Sequence, residues 1–311
     1  MATAPAPASG ETRTPPGQGP GPGTRSSGGS AQRAGALRSL LHRANIPGGA
    51  ASLVWLVIVL VPLWCMLSWS VQSRDGFLDN GPIGLPRQLT PENLTTVLEG
   101  GFTRAFVNTV IVTVVSVALT LVCAVPAAYA VVRSTSRFVA GAFSVFLLGL
   151  AIPAQAVIIP VYLMIVRMGL YDTKPAIILP TVAFGLPFAV LILAGSLRDV
   201  PAENYEAMTL DGAGPMRTLW SLVIPMSRGS IVAVGIYAAL QAWNGFLFPL
   251  ILTQSEEQQI LTLNLWNFQT EYGVNIPGLM TAVLLSAAPV FIAYVLARRW
   301  IVAGLAGLGG K

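Results

Sequence analysis

Residues 203–225 read ENYEAMTLDGAGPMRTLWSLVIP. Glu203, Glu206, Asp211 and Arg217 punctuate this stretch, while about twenty uncharged, largely apolar residues lie on either side of it. The punctuation predicts two short helices. Pro201 suits a first helical position, where its missing N–H costs nothing, and Glu203 then falls in the first turn and complements the helix dipole. Asp211-Gly212 ends that helix, because glycine tolerates the left-handed conformation that helix C-termini favour. Gly214-Pro215 opens a second helix, in which Met216, Leu219, Trp220 and Val223 fall at i, i+3, i+4 and i+7 on one face. Pro225 closes it. Taken alone, the stretch also suits an ordinary loop folding back on a membrane domain.

Working outward, the flanks are membrane spans. Of 311 residues 54% are apolar and only 10% charged, against about a quarter charged in a soluble domain. Mean hydropathy is +0.68. Six apolar stretches, at about 50–71, 105–131, 138–166, 176–197, 231–252 and 277–297, each have the roughly twenty residues of a bilayer crossing. The fold class is therefore all-α, a polytopic membrane protein with six transmembrane helices. The third stretch carries Pro153 and Pro160, and is expected to bend or to end in a separate half-helix. Residues 1 to about 35 are rich in Pro, Gly, Ser, Ala and Thr, too poor in apolar surface to offset their ordering entropy. They do not read as a signal peptide. Leu37, Leu40 and Leu41, among Arg38, His42 and Arg43, suit either a short surface helix or a simple basic flank.

Basic residues set the orientation. With the N-terminus cytoplasmic, inside segments hold thirteen of the eighteen, including Arg133, Arg137, Arg198, Arg217 and Arg228. Outside segments hold five, and the outer loop 253–276 has none, although it carries Glu256, Glu257 and Glu271. The positive-inside rule puts both termini and the 198–230 loop in the cytoplasm. It also accounts for the net charge of +5, so no nucleic-acid partner is implied. Cys65 and Cys123 lie inside apolar spans, and His42 is the one histidine, so no metal site or catalytic histidine is indicated.

Glu206-Ala207, Gly212 six residues after the glutamate, and Leu222, Ile224 and Pro225 resemble the EAA loop of binding-protein-dependent ABC importer permeases. That loop reads Glu-Ala-Ala, three residues, Gly, nine residues, Ile-x-Leu-Pro. Met208 replaces the second alanine, and Leu222 and Ile224 are conservative departures. The resemblance extends over nearly all of residues 50–311. It includes Asn108-Thr109, Ala128-Tyr129-Ala130 with Arg133, Pro160-Val161-Tyr162 and Met168-Gly169-Leu170. Trp243-Asn244, Phe268-Gln269, Tyr272-Gly273 and the tail Trp300–Leu305 resemble the smaller permease subunit of maltose-type carbohydrate importers. There the Trp-Asn pair is commonly followed by aspartate; here Gly245 follows.

The resemblance implies a type I ABC importer permease fold. With the composition and the basic residues, it divides the chain into a disordered N-terminal cytoplasmic tail over 1–47, a first transmembrane helix and outer loop over 48–104, a permease core over 105–297 with a cytoplasmic EAA-like coupling loop over 198–230, and a cytoplasmic tail over 298–311. Glu206, Ala207, Asp211, Gly212 and Pro225 would couple the spans to an ATPase. The implied partners are a second permease subunit, an ATP-binding subunit dimer, an extracytoplasmic solute-binding protein and membrane lipid. ATP-Mg would bind the ATPase partner, and no cofactor or enzymatic activity is expected of this chain.

The residues themselves point the same way. No stretch offers the Gly-rich turn ending in Lys-Ser or Lys-Thr that cradles phosphates. The spans hold no Asp, Glu, Lys, Arg or His, whereas ion-coupled transporters keep such groups near the midplane. A secondary transporter or a channel remains the alternative. Uncharged polar groups do lie in the spans: Asn108, Thr113, Ser116, Gln155, Gln241, Trp243 and Asn244. Gln155, Gln241, Trp243 and Asn244 are candidates to line the path of a neutral polyhydroxyl solute, since amides exchange hydrogen bonds with hydroxyls and rings stack on C–H faces. Interhelical bonding is the competing role of each. The outer loop, with Trp266, Phe268 and Tyr272, suits either interfacial anchoring or, by the resemblance, docking of the solute-binding protein.

Overall fold

The computed structural model describes residues 46–81, 84–270 and 273–306. The N-terminal tail up to residue 45, Tyr272, and residues 307–311 lie outside them. Two compact units divide at Leu60 and Val61. The first contributes the start of α1 (Ile46–Ser70), whose apolar side chains from Leu53 to Leu60 are all exposed, as a lipid-facing helix requires.

The second unit continues through α2 (Arg74–Asn80) and α3 (Glu92–Val97). A π turn, Leu98–Phe102, follows; within it Gly101, at φ +81°, takes a conformation that other residues resist. It leads into α4 (Thr103–Arg133). Beyond Ser134–Ser136 come α5 (Arg137–Leu147) and α6 (Ile158–Arg167), joined by 3₁₀ turns. Next are α7 (Lys174–Arg198), α8 (Ala202–Leu210), α9 (Pro215–Thr218), a π turn (Leu219–Val223) and α10 (Ile224–Met226). The chain ends with α11 (Arg228–Trp243), α12 (Leu247–Leu252), α13 (Leu261–Asn264), the strands β1 (Gln269–Thr270) and β2 (Gly273–Val274), and α14 (Ile276–Ala306). The strands pair antiparallel, Gln269 opposite Val274.

Among the described residues, four helices are long and apolar enough to cross a membrane, and up to six if each of two bent helix pairs forms one span. The third expected span is such a pair, turning through 95° between Ala151 and Ala154. Pro153 makes that break. Pro160 does not: it sits in the first turn of α6, where its missing N–H would have had no intrahelical partner anyway. The fifth expected span, 231–252, is interrupted at Asn244–Phe246, so α11 and α12 are separate helices. The centre of the unit is α4 packed on α7 and α11. Their contacts form one buried cluster that includes Ala124, Ala128, Ala189, Leu193, Leu197 and Val234. Small residues on α4 let the helix backbones approach closely, which is how helices associate where lipid supplies no hydrophobic drive.

Candidate functional site

The 203–225 stretch folds as its punctuation predicts at both helix junctions. Pro201, with ψ 138°, stands one residue before α8 rather than inside it, and Glu203 lies in the first turn. The helix ends in a Schellman motif: Ala213 N–H donates to the Met208 carbonyl at 2.9 Å, and Gly212 N–H to the Thr209 carbonyl at 3.0 Å. Gly212 has φ +71°, and a Cβ there would meet nothing within 4 Å. The sign of φ, not lack of room, is what selects glycine. Gly214 then caps α9, with Pro215 in its first turn.

The apolar stripe of the second helix behaves differently from expectation. After Thr218 the chain makes i→i+5 turns, so the period departs from 3.6 and the stripe divides. Leu219 and Val223 are buried among α4, α7 and α11, whereas Met216 and Trp220 are 68% and 67% exposed. Leu210, at the end of α8, is 89% exposed. Nor does Pro225 end the helix: it runs to Met226, and Ser227 carries the break before α11, an 80° bend. Glu206, Ala207, Asp211, Gly212 and Pro225 are all exposed, on the same loop as Leu210, Met216 and Trp220.

Sequence reasoning missed what holds this loop down. Tyr205 is only 3% exposed and belongs to the buried cluster of the spans. Its ring stacks on Tyr129 with centroids 6.4 Å apart, and the Arg133 guanidinium carbon lies 4.5 Å from its centroid. Burial pushes the Tyr205 phenol up, and the nearby Arg133 charge opposes that rise. At the loop's far end, Ser230 donates to Ser196 Oγ at 2.6 Å, joining α11 to α7.

The candidate path residues separate into two groups. Gln155, Gln241 and Asn244 are exposed. Trp243 is half-buried, donates its indole N–H to the Ser286 carbonyl at 3.2 Å and meets Phe106 edge-on. Trp243 thus performs the interhelical role. Asn108 does too, donating to the carbonyls of Glu257 and Gln259 at 2.7 and 2.8 Å. Thr113 and Ser116 are buried on α4 and their hydroxyls lack a partner among the described residues.

Asn108 belongs to a set of straps onto residues 253–276 and their flanks. Leu261 N–H donates to Thr109 Oγ1, Asn264 to the Gly100 carbonyl, and Thr262 to the Gly245 carbonyl. Asp172, at φ +59°, accepts from the backbone N–H groups of Gln254 and Ser255 at 2.9 and 3.0 Å. The Gln254 bond chiefly holds its carboxyl below the usual carboxylate range, burial opposing it and Ser255 helping. Within residues 253–276 Phe268 is buried while Trp266 stacks on Phe246 and stays exposed. Asp172→Ala removes two charge-assisted bonds and puts an alanine at positive φ. Partly solvated, the change costs about 2 kcal/mol. Thermal unfolding in detergent reads it as a lowered Tm, and Asp172→Asn, which tolerates that φ and keeps one acceptor, loses less. Because the folded pKa is depressed, this stabilisation is present above the unfolded value near 3.9 and disappears only as pH falls through the folded one. The gap between the wild-type and Ala proteins therefore narrows in acid and not at neutral pH, the backbone cost of alanine at positive φ remaining at every pH.

Residues 118–306 match the family described as binding-protein-dependent transport system inner membrane component. ORF2 of Caldicellulosiruptor sp. (strain Rt8B.4), named as an ABC transporter permease protein, is 36% identical over 252 residues, covering 81% of this chain and 92% of that one. The diacetylchitobiose uptake system permease protein NgcG of Streptomyces coelicolor is 31% identical over 255 residues, covering 81% and 84%. Among solved structures, a bacterial ABC transporter involved in the import of the acidic polysaccharide alginate superposes with a TM-score of 0.70 at 20% identity. That superposition covers 89% of this chain and 99% of the other, and it carries the fold alone.

Proposed function

This chain belongs to the family of binding-protein-dependent transport system inner membrane components, and on that premise we propose that it forms half of the transmembrane path of a carbohydrate importer, its 203–225 loop receiving the closure of an ATP-binding subunit dimer. The observation that carries the reading is the division of the loop's side chains. Tyr205, Leu219 and Val223 are buried against the spans, while Leu210, Met216 and Trp220 face outward beside Glu206 and Asp211. A large aromatic and two aliphatic groups held out on short helices suit the anchors of a protein interface, with the carboxylates as its polar rim. Burying each of the three is worth roughly 1.5–3 kcal/mol.

The rest of the machine follows from that assignment. A second permease subunit completes the path, and ATP-Mg binds the ATP-binding subunits. An extracytoplasmic solute-binding protein docks on the strapped outer segment, where Trp266 is exposed. Both termini and the 198–230 loop are cytoplasmic, in line with the basic-residue asymmetry, and residues 105–297 make the permease core. The cargo is a saccharide: the exposed amides of Gln155, Gln241 and Asn244 suit hydroxyl groups, and the NgcG relative is named for diacetylchitobiose uptake.

One labelling experiment tests orientation and docking together. In a protein lacking Cys65 and Cys123, Met216→Cys reacts with an impermeant maleimide only from the cytoplasmic side. It becomes shielded about tenfold once the ATP-binding subunits assemble, whereas Glu256→Cys reacts from outside and is indifferent to them. Reaction of both from one side refutes the orientation; an unshielded Met216→Cys in the assembled complex refutes the docking surface.

A further inference from the structure

Helix α8 sends one side chain into the core of the spans, while Asn204 makes only an exposed contact of 3.8 Å to Met226 Sδ. Tyr205 is its single buried residue, and Glu203, Glu206, Ala207 and Leu210 all face outward. Tyr205 meets two residues from the last turns of α4: Tyr129, stacked 24° from parallel, and Arg133, its guanidinium over the ring. Its hydroxyl also reaches the Leu197 carbonyl near the end of α7, at 3.5 Å. A cavity of about 120 Å³ adjoins the three residues, bounded also by Thr209 and Thr218, so the helix has space to move around its anchor.

We propose that Tyr205, Tyr129 and Arg133 form the joint that transmits displacement of α8 to the cytoplasmic end of α4. The inference rests on reading 203–225 as the coupling loop and adds the residues that carry its motion onward. A short helix with one buried anchor can spend a push by rolling about its own axis. Aliphatic packing resists rolling poorly, because a rotated methyl group finds equivalent contacts. A ring fixed by a second ring and a cation has one preferred orientation, since both attractions depend on the direction of the ring face. Rolling α8 would break them, so translation is passed to α4 instead. From α4 it reaches α7 and α11, which pack against it. All three are positioning residues: they touch neither solute nor nucleotide.

Substitutions that separate ring and charge from simple volume test the joint, using the full complex in vesicles. ATP hydrolysed per solute imported is the readout, which a merely structural role would not move. Tyr205→Leu fills the site without a ring and Arg133→Gln removes the cation; each raises the ratio about fivefold, equivalent to ~1 kcal/mol. Tyr205→Phe and Arg133→Lys keep ring and cation and stay near wild type. The Tyr205→Leu/Arg133→Gln pair is no worse than either single change, since one interaction is removed twice. Equal ratios for Leu and Phe at position 205 overturn the joint. Should Tyr205→Leu fail to accumulate, Arg133→Gln decides, its side chain being exposed; an unchanged ratio there also overturns it. Gly212→Pro distinguishes the two levels. Wild-type uptake in that variant removes the coupling loop itself, whereas lost uptake there beside normal ratios in the joint variants removes only the joint.

Discussion

Gly212→Pro abolishes solute uptake while the protein still reaches the membrane at normal levels. Gly212 sits at φ +71°, where proline, fixed near −65°, cannot go, and its N–H bond to the Thr209 carbonyl is lost as well. The penalty, about 3 kcal/mol or more, falls on the link that sets the angle between α8 and the helix after it. The spans do not depend on that link, because Tyr205, Leu219 and Val223 pack into them from either side of it. Gly212→Ala is the graded control. A Cβ meets no atom within 4 Å, so only the left-handed backbone costs, about 1–2 kcal/mol, and uptake is reduced rather than lost. Glu206→Lys, an exposed change that leaves packing alone, also stops uptake, by placing a cation at the surface proposed to meet the ATP-binding subunits. Uptake assays paired with membrane immunoblots read all three. Wild-type rates in both Gly212→Pro and Glu206→Lys would falsify the coupling role.

The features legible in the sequence are those decided within a few residues. Span existence follows from apolar length, and the two-helix loop from Pro201, Gly212 and Gly214-Pro215, each acting through its own backbone. What stayed hidden depends on distant partners. Nothing near Asn108 indicates that it ties down Glu257 and Gln259, about 150 positions later. Arg133 reads as a basic flank until the fold lays Tyr205 beneath it. The stripe at Met216, Leu219, Trp220 and Val223 was sound as a list of apolar residues. It failed as a face because the π turn changed the period and because two of the four remain outside the core. Pro153 and Pro160 look alike in sequence, but only one falls where a helix would need its N–H. The same limit applies to Trp243: its ring chemistry suits a sugar, and nothing near it indicates its bond to the Ser286 carbonyl, 43 positions later.

Uptake into vesicles holding this chain, a second permease subunit and the ATP-binding subunits requires ATP and the solute-binding protein, and the solute it carries is a neutral saccharide. Family membership supplies the binding-protein dependence and removes the case for an ion-driven carrier. The spans agree: they hold no Asp, Glu, Lys, Arg or His to carry or pair with an ion. Omitting ATP therefore reduces uptake by about a hundredfold or more, whereas a proton ionophore leaves it unchanged. Persistence without ATP, with collapse under the ionophore, refutes the energy source. The cargo arm stands on different ground. An anionic solute needs cationic partners in a water-poor path, where an unpaired charge costs about 2.5–3.5 kcal/mol even on lenient scales. This subunit offers amides instead, at Gln155, Gln241 and Asn244, and amides exchange water's hydrogen bonds with hydroxyl groups at little net cost. Neutral di- and oligosaccharides are accordingly carried, with a sugar phosphate at most one-tenth as fast. ATP-driven uptake of an amino acid or peptide, and of no sugar, refutes the cargo and leaves the machine intact.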